Sequence, residues 1–352
     1  MDIRAVGCRG RAVNNDRTRP VAVTGIGGFL GRHVAAHLLS AGYEVRGTIR
    51  SMQKAEAIEA AIRSVDDAAQ GKLSFVVADL TADAGWDIAF AGGSHVIHTA
   101  SPFPSRTPKH EDDLILPARE GTLRVLRAAK NAGVKRVVLT SSIAAISYGP
   151  GIAPFTEADW TDVNGRLATP YYKSKTLAER AAWDFAREHG LELAVVNPGM
   201  ILGPILGTET GTSVGLVQSL LKGRYPAMPD FSVPVVDVRD AAEAHVLAMT
   251  AATAAGERFI IAEEALSISD IVKVLKRDFP AYRKKMPKFV LPNWLAGIAS
   301  RFDPGLKLIV GELGRDARVS NDKAKRLLGW KPRSGDEAIR ASAESLIAAG
   351  LV

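Results

Sequence analysis

Tyr171-Tyr172-Lys173-Ser174-Lys175 sets a phenol and an ammonium four residues apart, and Thr140-Ser141-Ser142 closes a β-branched run some thirty residues earlier. On a helix Tyr171 and Lys175 share one face. A phenol with a reference pKa of about 10 exchanges protons poorly at neutral pH unless nearby positive charge stabilises its phenolate. Lys175 is placed to supply that charge, so Tyr171 is expected to titrate well below the ordinary tyrosine value. Ser142 adds a hydroxyl that can donate to the same substrate oxygen. The chemistry this set fits is proton transfer at an oxygen, with Tyr171 as the acid or base.

A second stretch suits a dinucleotide. Val21-Ala22-Val23-Thr24-Gly25-Ile26-Gly27-Gly28-Phe29-Leu30-Gly31 reads as a strand, a tight turn and a helix start. In such a site Gly25 permits the turn, Gly28 lets the backbone approach a pyrophosphate, and Gly31 lets the helix pack close to the strand. The diphosphate would sit on unpaired N–H groups at the positive end of the helix dipole. Gly27 is an extra glycine in the loop and is expected to loosen it without blocking binding. The next strand ends in Thr48-Ile49-Arg50-Ser51, with Lys54 beyond. Two cations therefore stand where an NAD site would carry an acid, and they favour a 2′-phosphate, so the cofactor is expected to be NADP(H).

The elements that must position these residues alternate from Pro20 onward. Strands are predicted at Val21–Thr24, Glu44–Ile49, Lys72–Ala78, His95–Thr99, Lys135–Ser141 and Glu192–Asn197. Helices are predicted at Phe29–Ser40, Gln53–Ala69, Asp112–Ala132 and Tyr171–His189. Repeated βα units of this length imply an α/β fold, a doubly wound parallel sheet of Rossmann type, with the ligand crevice at the carboxyl ends of the strands. After Pro198 the alternation loosens, returning at Val235-Val236 and Arg258–Ile261, and the remainder is mostly helical. The organisation expected is an NADP-binding domain of residues 20–198 plus 235–262, with a smaller, mostly helical substrate lobe of 199–234 plus 263–352. Residues 1–19 show no hydrophobic period and are expected to form a disordered, dispensable extension.

Composition bounds the function. The 352 residues are 47% hydrophobic, enough for a large core and a smaller lobe, and no apolar run approaches the length of a bilayer span. No membrane partner is expected. The net charge of +7 is concentrated in residues 1–19 and 276–288, which reads as solvated patches and no nucleic-acid footprint. One cysteine, Cys8, and the absence of an apolar leader fit a reducing, cytoplasmic setting. A monomer or a homodimer is compatible with all of this.

Together Thr24-Gly25-x-x-Gly28-Phe29-x-Gly31, the Ser142/Tyr171/Lys175 set, Asn197-Pro198-Gly199 and Leu328-Gly329-Trp330-x-Pro332 resemble the extended short-chain dehydrogenase/reductase superfamily. His98-Thr99-Ala100-Ser101-Pro102-Phe103, the Arg50/Lys54 pair and the run from Tyr171 to Glu179 resemble its dihydroflavonol-4-reductase-like branch, which includes NADPH-dependent aldehyde and ketone reductases. The similarity runs from about Pro20 to the C-terminus. It implies that Ser142, Tyr171 and Lys175 are catalytic. It also implies a cofactor lined by Gly25, Gly28, Phe29, Leu30 and Gly31, gripped at the 2′-phosphate by Arg50 and Lys54. Asp79 and Leu80 would meet the adenine, Thr99, Ala100 and Ser101 would line the cofactor, and Pro198, Gly199, Ile201 and Ser213 would flank the nicotinamide. The cinnamoyl-CoA reductases of this branch carry Asn-Trp-Tyr-Cys-Tyr at the catalytic tyrosine, whereas Ala168-Thr169-Pro170-Tyr171-Tyr172 stands here, which speaks against a CoA thioester.

The resulting expectation is an NADPH-dependent carbonyl reductase acting on a small ketone or aldehyde. Alternatives within the fold are a hydroxysteroid dehydrogenase or a sugar-nucleotide epimerase or dehydratase. From another class, a non-catalytic NADP-sensing regulator would have no need of the tyrosine–lysine pair. His33 and His37 have zinc-pair spacing but lack the intervening glutamate, so they are read as packing residues and no metal is expected. His98 is read as a core histidine. Tyr148, Tyr172, Trp160, Phe155 and Phe103 are candidate pocket aromatics.

Overall fold

The structure is a computed structural model, in which residues 19–65, 72–102, 110–302 and 310–352 are described. Nearly all of the expected N-terminal extension, and Phe103, lie outside the described residues. Arg19, the last residue of that extension, is tied to the fold, its guanidinium donating to the Gly92 and Gly93 carbonyls at 3.1 and 2.6 Å.

In chain order the elements are β1 Val21–Thr24, α1 Phe29–Ser40, β2 Val45–Ile49, α2 Ala55–Arg63, β3 Leu73–Val77, α3 Trp86–Phe90, β4 His95–His98, α4 Asp112–Asn131, β5 Arg136–Thr140, α5 Pro170–His189 and β6 Glu192–Pro198. Then come β7 Met200–Leu202, α6 Gly211–Leu221, β8 Met228–Pro229, β9 Ser232–Asp237, α7 Val238–Thr250, β10 Arg258–Ile261, β11 Glu264–Ser267, α8 Ile268–Asp278, β12 Val290–Leu291, α9 Asn293–Ala299, α10 Asp322–Leu328 and α11 Gly335–Ala348. Seven strands form one sheet in the order β10-β6-β5-β4-β1-β2-β3, every neighbour parallel.

Strands β1 and β4 are buried along their whole length because helices cover both faces of the sheet. One face packs Val34, Leu38, Val238 and Ala241, from α1 and α7, against Val23, Ile97 and Val138. The other packs Leu126 and Phe185, from α4 and α5, with Trp86 and Phe90 against Val96 and Val137. A third cluster joins Val217 and Leu221 of α6 to Ile271 and Leu275 of α8 and Ile339 and Leu346 of α11, forming the core of the smaller lobe.

Two placements depart from expectation. Val235 and Val236 lie in β9, which joins β7 and β11 in a separate three-stranded sheet and takes no part in the main one. The alternation after Pro198 is real, but its partners are β7, which runs parallel to β9, and β11, which runs antiparallel to it. In addition α2 begins only at Ala55, after a short turn of 3-10 helix at Met52–Lys54. The Ser51 side chain accepts from Gln53 N at 3.3 Å and caps that turn.

Candidate active site

Every strand of the parallel sheet ends on the same edge, so residues just after β1, β2, β3, β4, β5 and β6 converge there. The candidates Gly25, Arg50, Asp79, Thr99, Ser142 and Gly199 are these residues. Hydrogen bonds stitch the edge together. Thr24 accepts from Thr99 Oγ1 through its carbonyl at 2.7 Å and from Ala100 N through its hydroxyl at 3.2 Å. The His98 Nδ1 lies 2.6 Å from the same hydroxyl. His98 is 1% exposed, and burial holds it neutral with a pKa of about 3, which places it in the core as expected.

The glycine loop has the geometry of a phosphate cradle. Gly25 has φ +69°, and a side chain there would meet the Ala100 backbone at 2.8 Å. A Cβ on Gly31 would lie 2.4 Å from the Gly25 carbonyl, so only glycine lets α1 start so close to β1. No side chain caps the start of α1 and its first turn holds no acid, which leaves its N–H groups and positive dipole end to an anion. Gly27 corrects the expectation of a looser loop: its absent side chain is filled by Ile58 of α2, whose Cδ1 lies 2.9 Å from the Cβ position. The extra glycine lets α2 close on the turn. Phe29 and Leu30 open α1, and Phe29 packs 3.4 Å from the Cβ position of Gly211, which brings the first turn of α6, with Ser213, to the same place.

Arg50 and Lys54 are exposed just beyond β2. Asp79 follows β3, and its Oδ1 accepts from Thr81 N and Oγ1 at 2.8 and 2.6 Å, bonds that hold its carboxyl below the usual range. Leu80 lies against Gly121 of α4. Pro198 ends β6, and Gly199 is required because a Cβ there would sit 2.3 Å from the Pro234 carbonyl. Ile201 lies on β7. The uncapped helix, the glycine cradle and the flanking cations fit a dinucleotide phosphate.

The proton-transfer set is carried by α5, whose start is fixed by Pro170 in the first turn and by Thr169, whose hydroxyl accepts from Tyr172 N at 3.3 Å. The Lys175 ammonium donates to Ser101 Oγ at 3.0 Å, linking α5 to the end of β4. Ser142 caps the short turn after β5, accepting from Ala144 N at 3.1 Å, and its hydroxyl bonds Tyr171. The expected low tyrosine pKa is corrected here. Burial pushes the Tyr171 phenol up, and the Ser142 bond offsets only part of that. Burial also draws the Lys175 ammonium down to about 8, with the Glu179 carboxylate opposing the shift. The group of this pair that titrates below 10 is the lysine.

Sequence reasoning missed the residue that organises the neighbouring aromatics. Tyr148 and Tyr172 stack face to face with centroids 3.8 Å apart. Both phenols donate to Glu312, Tyr148 at 2.8 Å to Oε2 and Tyr172 to Oε1. Arg315 lies 4.4 Å above the Tyr148 ring and 3.9 Å from the Glu312 carboxylate. Burial raises the carboxyl of Glu312 above its usual value. Of the other aromatics, Phe155 is a core residue packed with Ile143, Ile146 and Ile260, and Trp160 carries the Arg258 guanidinium 3.8 Å above its ring. His33 bonds the Pro204 carbonyl, and among the described residues no His/Cys/Asp/Glu group suits a metal.

Residues 21–262 match the sequence model of the NAD dependent epimerase/dehydratase family. The chain belongs to this family. A putative NADPH-dependent methylglyoxal reductase of Candida albicans is 31% identical over 88% of this chain and 93% of its own length. A cinnamoyl-CoA reductase of Medicago truncatula is 35% identical over 74% of this chain and 81% of its own. The crystal structure of yeast methylglyoxal/isovaleraldehyde reductase complexed with NADPH superposes with a TM-score of 0.76 at 29% identity, covering 95% of this chain and all of that one. Within the epimerase/dehydratase family these relatives are reductases, as the resemblance to the extended short-chain dehydrogenase/reductases implied.

Proposed function

We propose that this chain is an NADPH-dependent carbonyl reductase that converts a small ketone or aldehyde to the alcohol, reversibly. The observation that carries the reading is the joining of Tyr171, Ser142 and Lys175 at the sheet edge, with Lys175 bonded to Ser101 beside a glycine cradle flanked by Arg50 and Lys54. The reductases among its relatives, and the NADPH bound by the yeast enzyme, support it.

Gly25, Gly28 and Gly31, with the open start of α1, would hold the diphosphate, and Arg50 and Lys54 the 2′-phosphate. Thr99, Ala100, Ser101, Pro198, Gly199, Ile201 and Ser213 would line the rest of the site. When bound, the reduced nicotinamide supplies the hydride that a carbonyl carbon accepts. Tyr171, kept protonated by burial, gives its phenolic proton to the carbonyl oxygen, and Ser142 donates a hydrogen bond to that oxygen as charge develops. The Lys175 ammonium stabilises the phenolate left behind. In the reverse direction the same phenolate takes the proton from the alcohol.

The test is NADPH oxidation against a panel of aldehydes, α-ketoesters, aryl ketones, flavanonols, steroids and a cinnamoyl-CoA thioester, with UDP-sugars as a separate arm. Consumption of NADPH by one of the carbonyl classes, and little by the thioester, is expected. Epimerisation of a UDP-sugar with no net NADPH consumption, and no turnover of any carbonyl, would overturn the reading.

A further inference from the structure

Glu179 lies four residues beyond Lys175 and eight beyond Tyr171, on the same face of α5. It is 1% exposed, and its carboxylate is surrounded by donors. Ser141 Oγ donates at 2.5 Å and Asn197 Nδ2 at 2.8 Å to Oε2, while Arg258 Nε lies 2.8 Å and Trp183 Nε1 3.3 Å from Oε1. These partners come from β6, β10, α5 and the residue just after β5, so four segments hold one buried charge in place. Burying this carboxylate carries a desolvation cost, which Arg258 and the surrounding donors offset. Between it and Lys175 lies a cavity of about 20 Å³ lined by Ser101, Thr122, Thr140, Ser141, Lys175 and Glu179. That is room for one water, and the lining supplies more than the two polar partners that such a water needs.

We propose that Glu179 is a positioning residue for the reaction, coupled through one water in this cavity to the Lys175 ammonium, which it holds charged beneath Tyr171. The inference rests on the carbonyl-reductase reading only for the meaning of that charge. The coupling itself is a property of the folded chain. Other charged or titratable groups around the pair are accounted for. From β4, His98 is neutral. Tyr171 shares the helix face, and α4 presents the uncharged Ala118 and Thr122 to the cavity. Arg258 faces Glu179 from β10, with Glu157 and Arg180 acting on Arg258 in turn. Glu179 is the group whose charge opposes the loss of the Lys175 proton on burial.

The direct test reads the lysine without turnover. The full chain carrying 13C at lysine Cε is titrated by NMR, the Lys175 signal being assigned by its loss in Lys175→Met. Glu179→Gln keeps the shape and one acceptor oxygen and removes the charge, so the Lys175 midpoint should fall by about one pH unit or more, the usual reach of a neighbouring opposite charge. Trp183→Phe removes a donor to the same carboxylate and keeps its charge, so its midpoint should match wild type. Ala118→Val adds two methyl groups to the cavity wall, enough to displace the water, and should lower the midpoint with Glu179 intact. This variant decides the question if Glu179→Gln does not fold. The alkaline limb of kcat/KM for NADPH-dependent reduction should move with the NMR midpoint. An unmoved midpoint in Glu179→Gln, or in Ala118→Val where Glu179→Gln fails to fold, overturns the coupling. A shifted midpoint in a chain that reduces no carbonyl upholds the coupling and overturns the functional reading instead.

Discussion

Two neighbouring faces of α5 meet different parts of the molecule. One, with Tyr171, Lys175 and Glu179, is bonded to residues at the ends of β4, β5 and β6 and to Arg258 of β10, all within the main sheet. The next, with Tyr172, stacks on Tyr148 and bonds Glu312, a residue from far along the chain. The first face is held by groups that parallel strands bring to one edge in any such fold. The second is held by the Tyr148 ring and the Glu312 carboxylate, both distant in the chain. On the reading proposed above, proton transfer belongs to the first face, and the second would bear on the fit of the substrate.

Tyr171→Phe breaks the first face at its centre and should have the largest effect. One oxygen is lost and little volume, so NADPH affinity and melting temperature should stay near wild type while kcat for carbonyl reduction falls about 100-fold or more. Near-normal turnover with cofactor still bound would move the acid to the second face, where Tyr148 and Tyr172 are the other phenols. Burial raises both of those phenols, and the Glu312 carboxylate raises them further, so neither is suited to leave as a phenolate.

Arg50→Ala tests the part of the sheet edge farthest from the chemistry. Loss of a hydrogen bond to a charged group should weaken NADPH by about 1.5–3 kcal/mol and leave NADH little changed. Comparing kcat/KM for the two cofactors reads it. An equal loss for both, or a wild-type preference for NADH, would remove the 2′-phosphate from this position.

The pH profile sharpens the first face without mutation. With Lys175 drawn down to about 8 by burial, the ammonium is present below that pH and lost above it. Tyr171 is kept protonated across the same range. Carbonyl reduction should therefore hold level through neutrality and decline as pH rises past about 8. A profile flat to pH 10 would show that the lysine charge does not enter the rate.

What the sequence disclosed follows the same division. The bounds of β1, α1 and β10 are those expected from buried β-branched runs and apolar periodicity, because each is fixed by short-range pattern. Ser142, Tyr171 and Lys175 were legible from residue type and spacing, since strand ends and one helix face suffice to bring them together. Glu179 stood in the same motif but carried no visible role until Arg258 and Asn197 closed on it from distant strands. Glu312 had no signal at all, its partners lying 164 and 140 residues away. The lowered tyrosine pKa failed for a related reason. Spacing locates a charge, but only the packed structure sets the burial that outweighs it.

Glu312→Gln breaks the second face and should have the smallest effect on chemistry. The amide keeps the size of the carboxyl and one acceptor oxygen, so one phenol keeps its acceptor while the other and Arg315 lose theirs. The change should appear as a KM shift of about 2–10-fold, the worth of a hydrogen bond of about 0.5–1.5 kcal/mol, with kcat held within that range. Stability should move in the opposite sense to the usual loss of a salt bridge. Burial raises the folded-state pKa of Glu312 above its unfolded value, so keeping it ionised costs the native state free energy as pH rises through that folded value. Glutamine never bears that cost. The melting temperature of the variant relative to wild type should therefore be higher above the folded-state value than in acid below it, where wild-type Glu312 is protonated and bears no such cost. A gap that widens toward acid instead would mean that the two tyrosine bonds and Arg315 outweigh burial at this carboxylate. A 100-fold fall in kcat with KM unchanged would show that the two faces of α5 act as one.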